Sequence, residues 1–134
     1  MITHSEHPMS YEINLADVVD EVTQAFQRYE HALVHNQVEE LDRLFWHSPH
    51  TMRYGAGENL YGYAQIQAFR AARPGAGLAR TVTRTQLTTY GRDFATTHLE
   101  FSRAGSDKVG RQTQTWLRLP EGWRVVSAHV SAMQ

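Results

Sequence analysis

The sequence predicts a single α+β domain, with three N-terminal helices packed on one face of a curved antiparallel sheet. Two observations carry this expectation. The first half of the 134-residue chain repeats its apolar residues at three- and four-residue steps, whereas the second half alternates them in Thr/Val-rich runs. Short turn compositions separate those runs, so neighbouring strands should be antiparallel, and helices precede strands instead of alternating with them.

The first helix is expected over 14–35. Leu15, Val18, Val19, Val22, Ala25, Phe26, Tyr29 and Leu33 form one apolar stripe, with Asn14 as cap and Asp17 in the first turn. Asn36 reads as a break and a new cap, with Glu39 in the capping-box position. It would open a second helix whose inner face is Val38, Leu41, Leu44 and Phe45. Pro49 in "WHSPH" should end that helix. A short strand near 51–55 and a glycine-rich loop follow. Gly62 then opens a third helix with Ile66, Phe69, Arg70 and Arg73 on one face, stopped by "RPGAG". Strands at 78–90, 93–103, 108–119 and 123–132, joined by "GRD", "AGSD" and "PEG", make a four-stranded meander. Residues 1–11 are set apart as a flexible N-terminal segment of the single domain 1–134.

Composition narrows the function. A hydrophobic content of 41% suits one core, and a net charge of −1 gives no global field for nucleic acid or an anionic membrane. No apolar run approaches a membrane span, and "MITHSEHPMSYE" lacks a signal-peptide core, so a cytoplasmic location is expected. The absence of cysteine excludes disulfides and thiolate chemistry. Of 13 basic residues only Lys108 is a lysine. Arginine-favouring codons would explain this, as would arginines gripping carboxylates bidentately; composition does not choose.

Most motifs fail as chemistry. His31 and His35 are spaced like zinc ligands but lack the zincin glutamate and lie opposite the apolar stripe, so they should face solvent. No metal site is expected. Ser127, His129 and Ser131 alternate along one strand, about 6–7 Å apart, too far for a relaxed serine–histidine bond. "GAGENLYG" has no lysine and follows no long buried strand, so it is not a phosphate loop.

Two residues survive. Tyr29 lies in line with the apolar stripe, and a buried phenol needs a hydrogen-bond partner, commonly a backbone carbonyl. Arg53 alternates with Met52 and Tyr54; if it points inward it must pair with Glu58, with Glu100 or with a substrate carboxylate. Gln112, Gln114 and Trp116 share one face of the third long strand, and the tryptophan argues that this face is covered. Arg73, Gln114, Trp116, Tyr61 and His129 are the candidate substrate-binding residues.

The segments "FQRYEHAL", "LDRLFWHSPHTMRYGAGENLYG", "AFRAARP", "TYGRDFAT", "GRQTQTW" and "GWRVVSAHVS" resemble the AtzH-like (DUF3225) family over about residues 10–133. The layout resembles the wider nuclear-transport-factor-2-like (NTF2-like, SnoaL-like) cone. That resemblance implies a cofactor-independent decarboxylating amidohydrolase converting 1,3-dicarboxyurea to allophanate, beside an amidase, in cyanuric acid or oxalurate nitrogen catabolism. It implies a catalytic pair at the positions of Tyr29 and Arg53. Arg53 would hold a carboxylate of a small anionic ureide, and Tyr29, a phenol that keeps its proton near neutral pH, would protonate the nitrogen losing carbon dioxide. Two other readings stay open: a non-catalytic module for a partner amidase, and a different acid–base enzyme using Glu58 or Glu100. A homodimer through the outer sheet face is expected, because one-sided helical cover leaves that face bare.

Overall fold

The computed structural model describes residues 11–133. Nearly all of the segment expected to be flexible, residues 1–11, lies outside the described residues. Helix α1 spans Ala16–Val34 and α2 spans Val38–Leu44; strands β1 (Met52–Tyr54) and β2 (Asn59–Tyr61) precede α3 (Tyr63–Ala72). The long strands are β3 (Thr81–Tyr90), β4 (Phe94–Ser102), β5 (Gly110–Leu119) and β6 (Gly122–Ala132).

The antiparallel meander of β3 to β6 forms as expected. The sheet does not start near residue 78, however. It has six strands in the order β2-β1-β6-β5-β4-β3, and β1 joins β6 in parallel. Three-residue strands carry too little periodicity to announce this in the sequence. The helices are therefore not a contiguous N-terminal block, because a β-hairpin separates α2 from α3.

Helix α1 buries the predicted stripe: Val18, Val22, Ala25, Phe26, Tyr29 and Leu33 join Leu41, Leu44, Phe45, Ile66, Leu99, Trp116 and Val125 in one core. His31 and His35 face solvent, stacked on each other at 4.1 Å. Neither expected asparagine cap is a cap. Asn14, at φ 60°, instead accepts the Thr89 N–H, while its own N–H donates to the Thr89 carbonyl. Asn36, at φ 51°, ends α1: its N–H donates to Leu33 O and that of Gln37 to Ala32 O, a Schellman closure. Asparagine tolerates the left-handed conformation that such a stop needs, and sequence cannot tell that use from a cap. Pro49 does not end α2 either; Phe45 is already extended and bridges Val125 of β6.

One irregularity decides what β6 shows to each face. Thr115 pairs with Ser127 but Trp116 pairs with Val125, so Val126 is an extra residue, a β-bulge. Trp123 and Val125 point inward before it and Ala128 after it, while Ser127 and His129 point out. Helices cover the inner face; the outer face carries exposed residues such as His98, Arg111 and His129.

Candidate functional site

Arg53 occupies the middle of β1, opposite Leu60 on β2 and Ala128 on β6, both buried. Its side chain is therefore inward, and it is 11% exposed. Nη1 donates to Oε2 of Glu58 at 2.7 Å, and the guanidinium lies 5.5 Å from the centre of the Phe69 ring. Of the two carboxylate partners considered from sequence, Glu58 is the one used; Glu100 is exposed on the outer face, paired in register with Arg84 and Arg111.

Arg73 follows α3 in an extended conformation, φ −75° and ψ 135°. Its Nε and Nη2 are buried and have no partner among the described residues. These two nitrogens form one edge of the guanidinium, the parallel fork that receives a carboxylate. Burial lowers the pKa of Arg73 from its ordinary value; the Tyr29 phenol opposes that, Arg70 and Arg53 add to it, and Glu58 opposes it again. Tyr29, Arg53, Glu58 and Arg73 thus share one electrostatic neighbourhood. The Tyr29 ring is buried and tilts against Phe45 at 6.1 Å. Arg70 is already committed, with Nη1 2.5 Å from Asp42 Oδ1.

The facing sheet presents donors. Across the strands Arg53, Ala128, Gln114 and Thr97 form one row. Trp116 Nε1 donates to Thr97 Oγ1 at 3.2 Å, and Thr97 Oγ1 donates to Gln114 Oε1 at 3.3 Å. That chain fixes the amide so that Gln114 Nε2 remains, buried and without a partner among the described residues. One step along β5, Arg80 Nη2 donates to Glu30 Oε2 at 2.6 Å and to Gln112 Oε1 at 3.1 Å, over the Phe101 ring. Gln112 Nε2 and Arg80 Nε are buried without a partner among the described residues. Three guanidiniums (Arg53, Arg73, Arg80) against two carboxylates (Glu58, Glu30) leave one positive charge in excess, and Arg73 is the arginine with no carboxylate partner among the described residues. An interior so built favours a ligand rich in oxygen acceptors and carrying negative charge.

Of the sequence-derived candidates, the structure brings Tyr29, Arg53, Arg73, Gln114 and Trp116 to this inner face. Tyr61 and His129 are not there. Tyr61 is 52% exposed on the outer face, edge-on to Tyr54, and the other edge-on neighbour of Tyr54 is His129. Strict alternation from Trp123 and Val125 puts His129 inside; the bulge at Val126 reverses it. Sequence reasoning passed over Arg80 and Glu30, whose contact joins residues fifty apart and leaves no local signal. Gln112 was legible from its alternation with Gln114. Among the described residues no group of three or more His, Asp or Glu side chains could hold a metal ion, and no helix is long and apolar enough to cross a membrane.

The AtzH-like family profile matches residues 11–134. The chain belongs to the AtzH-like family. A DUF3225 protein of unknown function from Pectobacterium atrosepticum is 60% identical, with a TM-score of 0.90, covering 91% of this chain and 95% of that one. A cystatin-like-fold protein from Burkholderia xenovorans is 45% identical, with a TM-score of 0.88 and coverage of 92% and 97%. An NTF2-like protein of unknown function from Pseudomonas putida, 15% identical, superposes with a TM-score of 0.73 over 89% of both chains, which shows the NTF2-like fold. Comparison with curated proteins gives no match.

Proposed function

We propose that this AtzH-like chain is a cofactor-independent enzyme that removes carbon dioxide from a small N-carboxylated urea, of the 1,3-dicarboxyurea to allophanate type. The observation that carries the reading is the buried Nε/Nη2 edge of Arg73, which has no partner among the described residues and whose charge interacts with Tyr29 and Arg53. An arginine held that way costs stability unless a carboxylate occupies it.

In this reading Arg73 grips the retained carboxylate, and Arg53, which has donors beyond the one given to Glu58, orients the ureide. Tyr29 gives its proton to the substrate nitrogen as the bond from that nitrogen to the departing carboxylate breaks. The bonding pair stays on nitrogen and carbon dioxide leaves. The phenolate then recovers a proton from solvent, so one proton is consumed per turnover. A cytoplasmic setting, with an amidase consuming the product, agrees with this chemistry. The bare outer sheet face agrees with a homodimer.

A second reading has a specific observation behind it. The Arg53–Glu58 contact occupies part of the arginine proposed to act, which favours a binding module that holds a labile ureide for an amidase. The experiment is to release 1,3-dicarboxyurea in the presence of purified protein and follow carbon dioxide and ammonia. Carbon dioxide evolution well above the spontaneous rate, without ammonia, is expected. A rate equal to the spontaneous one would leave the module reading in possession.

A further inference from the structure

We infer that the cleft beneath the β4–β5 connection is the mouth through which an anionic ligand reaches the inner face, with Arg103 and Lys108 drawing it in. The inference rests on the reading that the inner face binds a small anion. Its own observation is a cleft of about 130 Å³ at the end of the sheet, bounded by Ala56, Phe101, Arg103, Lys108, Val130 and Ala132 among others.

Charge in the cleft has one sign. Arg103 and Lys108 line it and no carboxylate does; Asp107, in the same connection, is exposed and is not part of the lining. The Arg103 guanidinium lies 5.0 Å from the centre of the Phe101 ring, and that of Arg80 lies 4.4 Å from the same centre. Burial lowers the Arg103 pKa and the Arg80 charge lowers it further, with no carboxylate opposing them. Lys108 is the single lysine of the chain, and a flexible, strongly hydrated ammonium suits attraction better than a fixed grip. A cleft lined by one sign of charge focuses its field and speeds the entry of ions of the other sign.

The cleft leads inward. Phe101, Gly110 and Ala132 form one cross-strand row on the inner face; Leu99, Gln112 and Val130 form the next, and Thr97, Gln114, Ala128 and Arg53 the third. Along β6, Ala132 is exposed, Val130 half-buried and Ala128 buried. The cleft therefore begins two rows from Arg53, about 13 Å along the strand. Ala56 belongs to the turn between Arg53 and Glu58, so the same turn borders both places. Phe101 is shared as well. Its ring fills the space that a Cβ on Gly110 would need, 2.2 Å away, and it carries the Arg80 contact of the interior.

Glutarate is a stable probe, because it has the length and the two carboxylates of 1,3-dicarboxyurea but no carboxylate on nitrogen. Amide NMR line shapes during titration of the wild-type protein with glutarate give association and dissociation rates separately. The association rate should fall as salt is raised. Arg103→Gln/Lys108→Gln should lower it about tenfold at low salt, flatten the salt dependence and leave dissociation nearly unchanged. Ala132→Trp, at an exposed position in the cleft, should slow association and dissociation together and leave affinity unchanged, the mark of an obstructed route and not of a lost contact. Ala56→Trp, also exposed, should do the same if Ala132→Trp fails to fold. Association unaffected by the loss of both charges, or by both tryptophans, would overturn the mouth while leaving the Arg73 site standing. A wild type that does not bind glutarate, or binding that survives Arg73→Met, would overturn the inner-face reading itself and this inference with it.

Discussion

Arg53 and Glu58 meet at 2.7 Å only because residue 55 has no side chain. A Cβ built on Gly55 would lie 1.7 Å from Glu58 Oε2 and 3.0 Å from Arg53 Nη1. The glycine of the Arg-Tyr-Gly segment is thus space for an ion pair, and the Gly55 N–H donates to the Glu58 carbonyl to close the turn. Because the obstructing atoms are the end of a flexible glutamate, Gly55→Ala should fold. It should push the Glu58 carboxylate aside and free Arg53. The expected outcome is a modest loss of stability, about 1–3 kcal/mol, with tighter binding of glutarate. Weaker binding in a well-folded Gly55→Ala protein would mean that Glu58 itself contacts the ligand.

Tyr29→Phe keeps the ring against Phe45 and removes only the hydroxyl. Its melting temperature should stay within a few degrees of wild type. General-acid work is typically worth about 10²–10⁴-fold, so carbon dioxide evolution should fall by that much with little change in probe affinity. Near-normal turnover would remove the phenol from the proposed mechanism.

The two arginines should respond differently to lysine. Arg73→Lys keeps the charge and loses the fork, with no carboxylate partner among the described residues to upset. Stability should hold while KM rises. Arg53→Lys also disturbs Glu58, half of a pair whose side chains are only 11% and 24% exposed. It should cost stability by about 1–3 kcal/mol as well as rate. Identical stability profiles for the two variants would argue against the Arg53–Glu58 contact in solution.

The legible parts of the molecule were those written in local periodicity. The stripe from Val18 to Leu33, the meander of long strands and the inward Gln112–Gln114–Trp116 face all follow from repeats of 3.6 or 2. The inward turn of Arg53 was posed as one of two options, since a three-residue strand cannot fix its own face. Arg80 with Glu30, the parallel β1–β6 pairing and the bulge at Val126 depend on chain segments far apart in sequence or on one inserted residue. For Tyr54, Tyr61 and His129, that insertion reassigns a candidate binding histidine to a cluster on the opposite face.

Acid stability offers a check away from the site. On α2, Glu40 accepts Arg43 Nε at 2.9 Å and Nη2 at 2.5 Å. That hydrogen bonding lowers the Glu40 pKa below its ordinary 4.5, against a smaller opposing effect of burial. A depressed carboxyl pKa stabilises the fold above the ordinary value, and the gain is lost as pH falls through the folded one. The pair is largely solvent-screened, so Arg43→Ala should cost only about 0.3–0.5 kcal/mol at pH 7. Urea unfolding at low pH, with Glu40 protonated, should show the two proteins converging. A cost that persists there would be packing, not charge.

The outer sheet face carries the last prediction. Tyr54 and Tyr61 are 37% and 52% exposed, with Phe94 at 38%. Aromatic side chains on a sheet surface with no helix over it are a costly exposure for a monomer, and a twofold partner would cover them. Sedimentation at micromolar concentration should give twice the chain mass. Tyr54 touches both Tyr61 and His129, so Tyr54→Glu places a charge in the middle of that cluster without reaching the inner face. It should shift the protein towards monomer and leave glutarate binding unchanged. A monomeric wild type would refute the dimer. A Tyr54→Glu variant that stays dimeric would move the interface to another part of the sheet.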